Sequence, residues 1–184
     1  MNASHASPDF GRALRRRGAL IIALFALVWA AAGSSGIANS AAAMLVLVVA
    51  LVVTVVAVLL ALPTSTARAG DRPRQLPANW NRRVGLVNIF QAVAIGLVLA
   101  VLNTVDKPAF IPAAVCLIVG VHFFPLAPAF DQPQYQWTAA AMCAVATAGF
   151  VAVVAIDGET SRAVVGMGAA ITLWGTSLHI TNRG

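Results

Sequence analysis

"AAAMLVLVVALVVTVVAVLLAL", Ala41–Leu62, runs 22 residues without a charged side chain. At 1.5 Å of rise per residue such a run reaches about 33 Å, enough for the ~30 Å hydrocarbon core of a bilayer. Hydrocarbon offers no water to the backbone, so the run must be a helix that pairs its own N–H and C=O groups. Five more apolar runs lie around it: Gly18–Gly36, Val84–Asn103, Ala109–Ala127, Gln136–Ile156 and Arg162–Ile180. None has Asp, Glu, Lys or Arg in its interior. The expected fold class is all-α: an integral membrane bundle of six transmembrane helices, arranged as three hairpins.

The whole composition agrees. Of 184 residues, 60% are hydrophobic and 10% charged, against about 45–50% and about 25% in soluble domains. A water-soluble fold of this length has too little interior to hide that much apolar surface. The lipid bilayer is thus the expected partner of most of the chain. A net charge of +6 would suit nucleic acid only if basic residues shared a folded face with polar or aromatic readers. Instead nine of the twelve basic residues fall in two clusters, Arg12, Arg15, Arg16 and Arg17, then Arg68, Arg72, Arg74, Arg82 and Arg83. Both clusters flank apolar runs, so no nucleic acid is expected.

The same charges predict the threading. The termini and even-numbered connections hold ten basic residues, the odd-numbered ones only Lys107 and Arg162 beside Asp106, Asp157 and Glu159. The positive-inside bias then places both termini in the cytoplasm. Eleven arginines to one lysine, with abundant alanine, suit a GC-rich bacterial genome, hence a multi-pass protein of the bacterial cytoplasmic (inner) membrane. The expected organisation is a cytoplasmic tail over 1–17, disordered over "MNASHASPDFGR" with its His5, and a single six-helix domain over 18–184. The one long connection, 63–83, is read as a cytoplasmic loop. Trp80, Tyr135 and Trp137 fit an aromatic belt at the cytoplasmic interface. An alternative stays open at the start, where "RRRGALIIALFALVWAAAGSSG" also has the make-up of a signal peptide cleaved near Ala32. "RRRGALIIALFALV" and "NRRVGLVNIFQAVA" share a basic start and a similar apolar run.

Polar groups within the spans are the remaining signal. Asn88 and Gln91, three apart, share a helix face. With the expected threading they fall in the cytoplasmic half of the bilayer together with His122, Thr138, Thr176 and His179. Such groups either hold helices together or line a cavity. Pro125 lacks an N–H for the Val121 carbonyl and crowds that turn, so the helix is expected to kink or end there, with Pro128 discouraging its continuation. His122, with one donor and one acceptor nitrogen, is suited to bridge a neighbouring amide and a backbone group. Gly166 with Ala170 and Gly168 with Thr172 make small-xxx-small spacings that Gly175 extends, the pattern of close helix approach.

No catalytic constellation is present: no HExxH, no Walker-type loop, no nucleophile elbow, no paired intramembrane carboxylates. Cys116 and Cys143 lie in apolar runs outside any ligand spacing and read as small hydrophobes. No metal or cofactor is expected, and the chain does not read as an enzyme. "GVHFFPLAPAF" (Gly120–Phe130) with the following "QPQYQWTAAA" resembles a segment of small uncharacterised bacterial membrane proteins that carry a G-x-H-F-x-P-L-A pattern near the fourth helix. The resemblance covers the C-terminal two thirds from Asn81 onward. It implies a multi-helix membrane fold and adds no catalytic or binding role. Two functions of different class follow. One is a permease-like or solute-binding protein, with Asn88, Gln91 and His122 lining a cytoplasm-facing cavity for a small solute. The other is a non-catalytic scaffold or accessory subunit that meets a second copy or a partner membrane protein, its polar residues only packing helices.

Overall fold

The computed structural model describes residues 4–5, 8–62, 75–76 and 79–183. Its helices are α1 (Pro8–Ser34), α2 (Ser40–Ala61), α3 (Trp80–Thr104), α4 (Ile111–Ala129), α5 (Gln134–Ala155) and α6 (Gly158–Arg183), with a 3-10 turn at Pro108–Phe110 before α4. All six are long and apolar enough to cross a membrane. Among the described residues the chain is all-helical, as a multi-pass membrane protein, apart from a two-residue antiparallel ladder of Ser4–His5 (β1) with Gln75–Leu76 (β2). Ser4–His5 and Pro8–Arg12 therefore depart from the disorder expected of 1–12. α1 starts at Pro8 rather than Gly18, because a nucleated helix extends at little cost and proline's fixed φ suits a helix's first position. Most of the 63–83 loop, Arg68, Arg72 and Arg74 included, lies outside the described residues.

α6 is the hub. It packs most closely on α1 and α5 and also reaches α2 and α4, while α4 packs on α5. α2 rests on α1 and α6, and α3 leans on α4. Between helices already in lipid there is no water to expel, so close packing and hydrogen bonds must hold them. Small residues make that packing feasible. Ala19, Ala23, Ala26 and Ala30 line up at helical spacing on α1, each at most 1% exposed. Gly33 continues the row and abuts the Gly166 backbone of α6. The neighbour of the Gly166–Ala170 surface is thus α1 of the same chain. Gly168 instead meets Val145 of α5.

Hydrogen bonds between helices also converge on α6. The Ser177 hydroxyl donates to the Ala19 carbonyl at 2.9 Å, Ser161 to the Gly149 carbonyl at 2.8 Å, and the Trp174 indole to the Thr54 hydroxyl at 3.0 Å. Each such bond is worth about 0.6 kcal/mol on average in a membrane. They fix rotation and depth more than they add stability.

Contacts place the start of α5 and the start of α1 beside the end of α6, through Thr138–Thr176 and Ala19–Ser177, and the start of α3 beside the end of α4, through Trp80–Phe130. That end of the bundle bears Arg12, Arg15, Arg16, Arg17, Arg82, Arg83 and Arg183, whereas Asp106, Lys107, Asp157, Glu159 and Arg162 sit at the other. Two of the acidic residues act as helix stops. Asp106 and Asp131 have φ of 54° and 51°, the left-handed conformation that Asp tolerates better than most residues. Beyond them Lys107 N–H bonds Leu102 O at 2.8 Å and Gln132 N–H bonds Ala127 O at 2.9 Å. This six-to-one closure is a helix C-terminal motif usually served by glycine.

Of the two outcomes expected at Pro125, a kink or an end, α4 does not take the second. The helix runs on through Pro125 and Pro128 and stops only at Phe130. Prolines are tolerated there because the Asp131 closure terminates the helix within the next turn, and a membrane helix can re-satisfy a freed carbonyl locally. Asp157 starts α6: its carboxylate accepts from Thr160 N–H at 2.7 Å and Thr160 O–H at 3.0 Å. Those bonds, the backbone one foremost, hold its pKa below the ordinary carboxylate value of 3.8. A lowered folded pKa means the cap's contribution is complete above the unfolded value and fades as pH falls through the folded one. Asp157→Ala is therefore expected to lower the melting temperature at neutral pH, with the gap to wild type closing in acid. A gap that stays constant down to the lowest pH measured would deny the carboxylate this role.

Candidate functional site

Three of the six polar residues singled out in the spans come together. Thr138 of α5 and Thr176 of α6 share a hydrogen bond of 2.7 Å across the interface, and His179 lies one turn beyond Thr176. The pair sits in the floor of a groove of about 430 Å³ between α5 and α6. The splay of the two helices makes the groove. Where Gly168 faces Val145 they are tight, since a Cβ on Gly168 would lie 2.9 Å from both Val145 methyl carbons. Near Gly175 a Cβ would meet nothing within 4 Å. Trp137, 80% exposed, and Ile171 form the outer rims. Gln134 and His179 stand at the mouth, on the arginine-bearing end.

The hydroxyls of the floor are already engaged. Thr172 donates to the Gly168 carbonyl at 2.8 Å and Thr176 to the Thr172 carbonyl at 2.8 Å. The Thr138 proton is left for the Thr176 oxygen or for the Gln134 carbonyl at 3.2 Å. At the rim the Gln134 amide donates to the Gln132 side-chain oxygen. What the floor presents outward is methyl and methylene surface.

His122 lies elsewhere, on the last turns of α4. Its ring is one end of an aromatic chain: His122–Phe123 at 5.7 Å, Phe123–Tyr135 at 5.5 Å, Tyr135–Phe130 at 6.3 Å and Phe130–Trp80 at 5.9 Å between centroids. Tyr135, expected at the interface belt, is only 7% exposed. Its hydroxyl lies against Gly18 of α1, where a Cβ would make an ordinary contact at 3.4 Å. His122 Nδ1 is buried and has no hydrogen-bond partner among the described residues, so the expected bridge to an amide is not formed. A buried acceptor without a partner is tolerated better than a buried N–H, which favours the tautomer protonated at Nε2.

Asn88 and His122 each stand eight residues from the Trp80–Phe130 contact, about 12 Å deeper on neighbouring antiparallel helices. They share a depth. They do not share a pocket with Thr138, Thr176 and His179, and Asn88 is exposed on α3 while Gln91 is half-buried. Sequence reasoning missed Thr54 and Trp174. Thr54 is the single polar side chain in Ala41–Leu62, a signal that was present. Nothing local marked its partner, 120 residues away. Among the described residues no group of three or more His, Cys, Asp or Glu is placed to hold a metal. Protein-family models, curated proteins and solved structures provide no match to this chain.

Proposed function

We propose that this protein is a non-catalytic membrane scaffold or accessory subunit whose α3 docks against a span of another polypeptide, a second copy or a partner membrane protein. In this proposal the six spans form three hairpins with both termini in the cytoplasm of a bacterium, as the excess of basic residues beside the starts of α1 and α3 supports. The weak likeness around Gly120–Phe130 belongs to the same proposal. One observation carries it: α3 is a full-length span without a single buried residue.

The exposed side of α3 carries Leu86, Ile89, Phe90, Val93, Leu97 and Val101, and beside these large apolar residues runs a second, thinner stripe. Val84 and Val87 pack toward the core, and the half-buried Gln91, Ile95, Val98 and Leu102 follow the same side. Flanking it, Gly85, Asn88, Ala92, Gly96 and Ala100 form a row of small residues interrupted by one amide, half-buried at Gly85 and exposed beyond it. A Cβ on Gly85 or Gly96 would meet nothing within 4 Å, so another helix has room to approach closely. An amide facing hydrocarbon costs free energy until something accepts and donates to it. Another helix supplies both backbone proximity and a hydrogen-bonding partner. A permease-like activity asks for Asn88, Gln91 and His122 around a common cavity. The groove instead belongs to α5 and α6 and closes at Val145 and Gly168.

A photo-reactive residue placed at Ala92 or Gly96 in intact membranes is expected to yield protein adducts, whereas one at Ile171 yields none. Asn88→Leu should weaken the association about 3-fold, at most about 20-fold, the range of one interhelical hydrogen bond. Adducts to lipid alone at Ala92 and Gly96 would end the proposal.

A further inference from the structure

We propose that the α5–α6 groove holds one acyl chain of an anionic phospholipid, with the headgroup at the mouth beside Gln134 and His179. The site does not involve α3 and stands whether or not α3 docks. Its volume of about 430 Å³ falls within the usual size of small-molecule sites, ~300–1,000 Å³. Its length tells which molecule fits. From Ile171 to His179 the groove follows eight residues of α6, about 12 Å. That is close to one leaflet of hydrocarbon, about 15 Å or half of the bilayer core. The Val145–Gly168 contact shuts the groove at its inner end. The shape suits a chain hanging from one headgroup layer and leads nowhere across the membrane.

The chemistry of the lining points the same way. A polar solute needs donors, yet the hydroxyl protons of Thr138, Thr172 and Thr176 are committed to protein oxygens. A methylene chain needs none and gains contact with the threonine methyls, Ile171 and the Trp137 ring. Charge selects the headgroup. The mouth opens on the end of the bundle that bears Arg15, Arg16 and Arg17 of α1 and Arg82 and Arg83 of α3, against Asp131 in the turn before α5, and juxtamembrane basic residues attract anionic lipid. Trp137 at the rim places an amphipathic ring at headgroup level, as tryptophans at membrane interfaces do.

Trp137 is also the probe. In vesicles of phosphatidylcholine containing an equal mole fraction of either brominated-chain phosphatidylglycerol or brominated-chain phosphatidylcholine, quenching of the Trp137 signal (wild type minus Trp137→Phe) is measured. The glycerol lipid is expected to quench with about fivefold higher apparent affinity, the preference one basic residue near the surface provides. Gly175→Leu fills the groove without touching the folded bundle and should abolish the preference, with the melting temperature as a check on folding. Equal quenching by the two lipids in wild type would mean ordinary annular lipid and overturns the proposal. A preference that survives Gly175→Leu unchanged would assign selectivity to the arginine belt alone, and overturns it as well.

Discussion

Gly166→Ala is expected to force α1 away from α6 and to cost at or above about 3 kcal/mol, the top of the overpacking range. The added carbon would strike the Gly33 backbone and lie 2.7 Å from the Trp29 carbonyl oxygen. No rotamer relieves a collision with main chain. The helices must separate, and the Ser177–Ala19 hydrogen bond and the contacts of the alanine row along α1 go with them. Since α6 is the hub, the loss spreads to α2 and α5. Gly175→Ala on the same helix is the control, with open space at its Cβ and an expected change within about 0.5 kcal/mol. Unfolding of both variants in mixed micelles measures the difference. Equal stability of Gly166→Ala and wild type would refute the α1–α6 seam.

The second large effect comes from the opposite fault, a void. Met142 on α5 is 0% exposed, packed where Gly120 lets α4 come close and where the Cys116 thiol donates to the Met142 carbonyl at 3.4 Å. In water-soluble cores Met→Ala costs about 2–5 kcal/mol, part transfer and part cavity. Separated helices here stay in hydrocarbon, so the transfer part falls away and the cavity part remains. Met142→Ala is therefore expected near the low end, about 2 kcal/mol, with Met142→Leu restoring most of it. Phe90→Ala removes a larger side chain from α3, but one 72% exposed, and should leave the stability of the isolated chain unchanged. A cost at Phe90 equal to that at Met142 would mean α3 packs inside the chain rather than on its edge.

The contrast between those positions shows where pattern reading reached and where it stopped. "RRRGALIIALFALV" and "NRRVGLVNIFQAVA" look alike, yet the first lies in α1 at the core and the second in α3 with nothing buried. The run that settles the membrane class, Ala41–Leu62, becomes the peripheral α2, and the least apolar of the six spans becomes the hub α6. Lipid rewards an apolar outside, whereas the inside of such a bundle wants small residues and hydroxyls that reach another backbone. Hydropathy therefore ranks spans almost in reverse order of centrality. The small-residue spacing of α6 was visible. The matching row Ala19, Ala23, Ala26, Ala30 on α1 escaped attention because alanine is everywhere in this chain.

The candidate site divides along the same line. Thr138, Thr176 and His179 fall at one depth for any antiparallel threading, and that much follows from counting residues. Their meeting in a groove depends on the angle at which α5 leaves α6 above the Gly168–Val145 contact. Asn88 and His122 share a depth as well, but α3 and α4 present them to different surroundings. Composition along the chain was sufficient for six helices long and apolar enough to cross a membrane, because solvation by lipid acts on each segment separately. Which flank of each helix meets protein, lipid or a groove came from the packing, because that choice rests on contacts between residues far apart in the chain, and no single segment carries both halves of a contact.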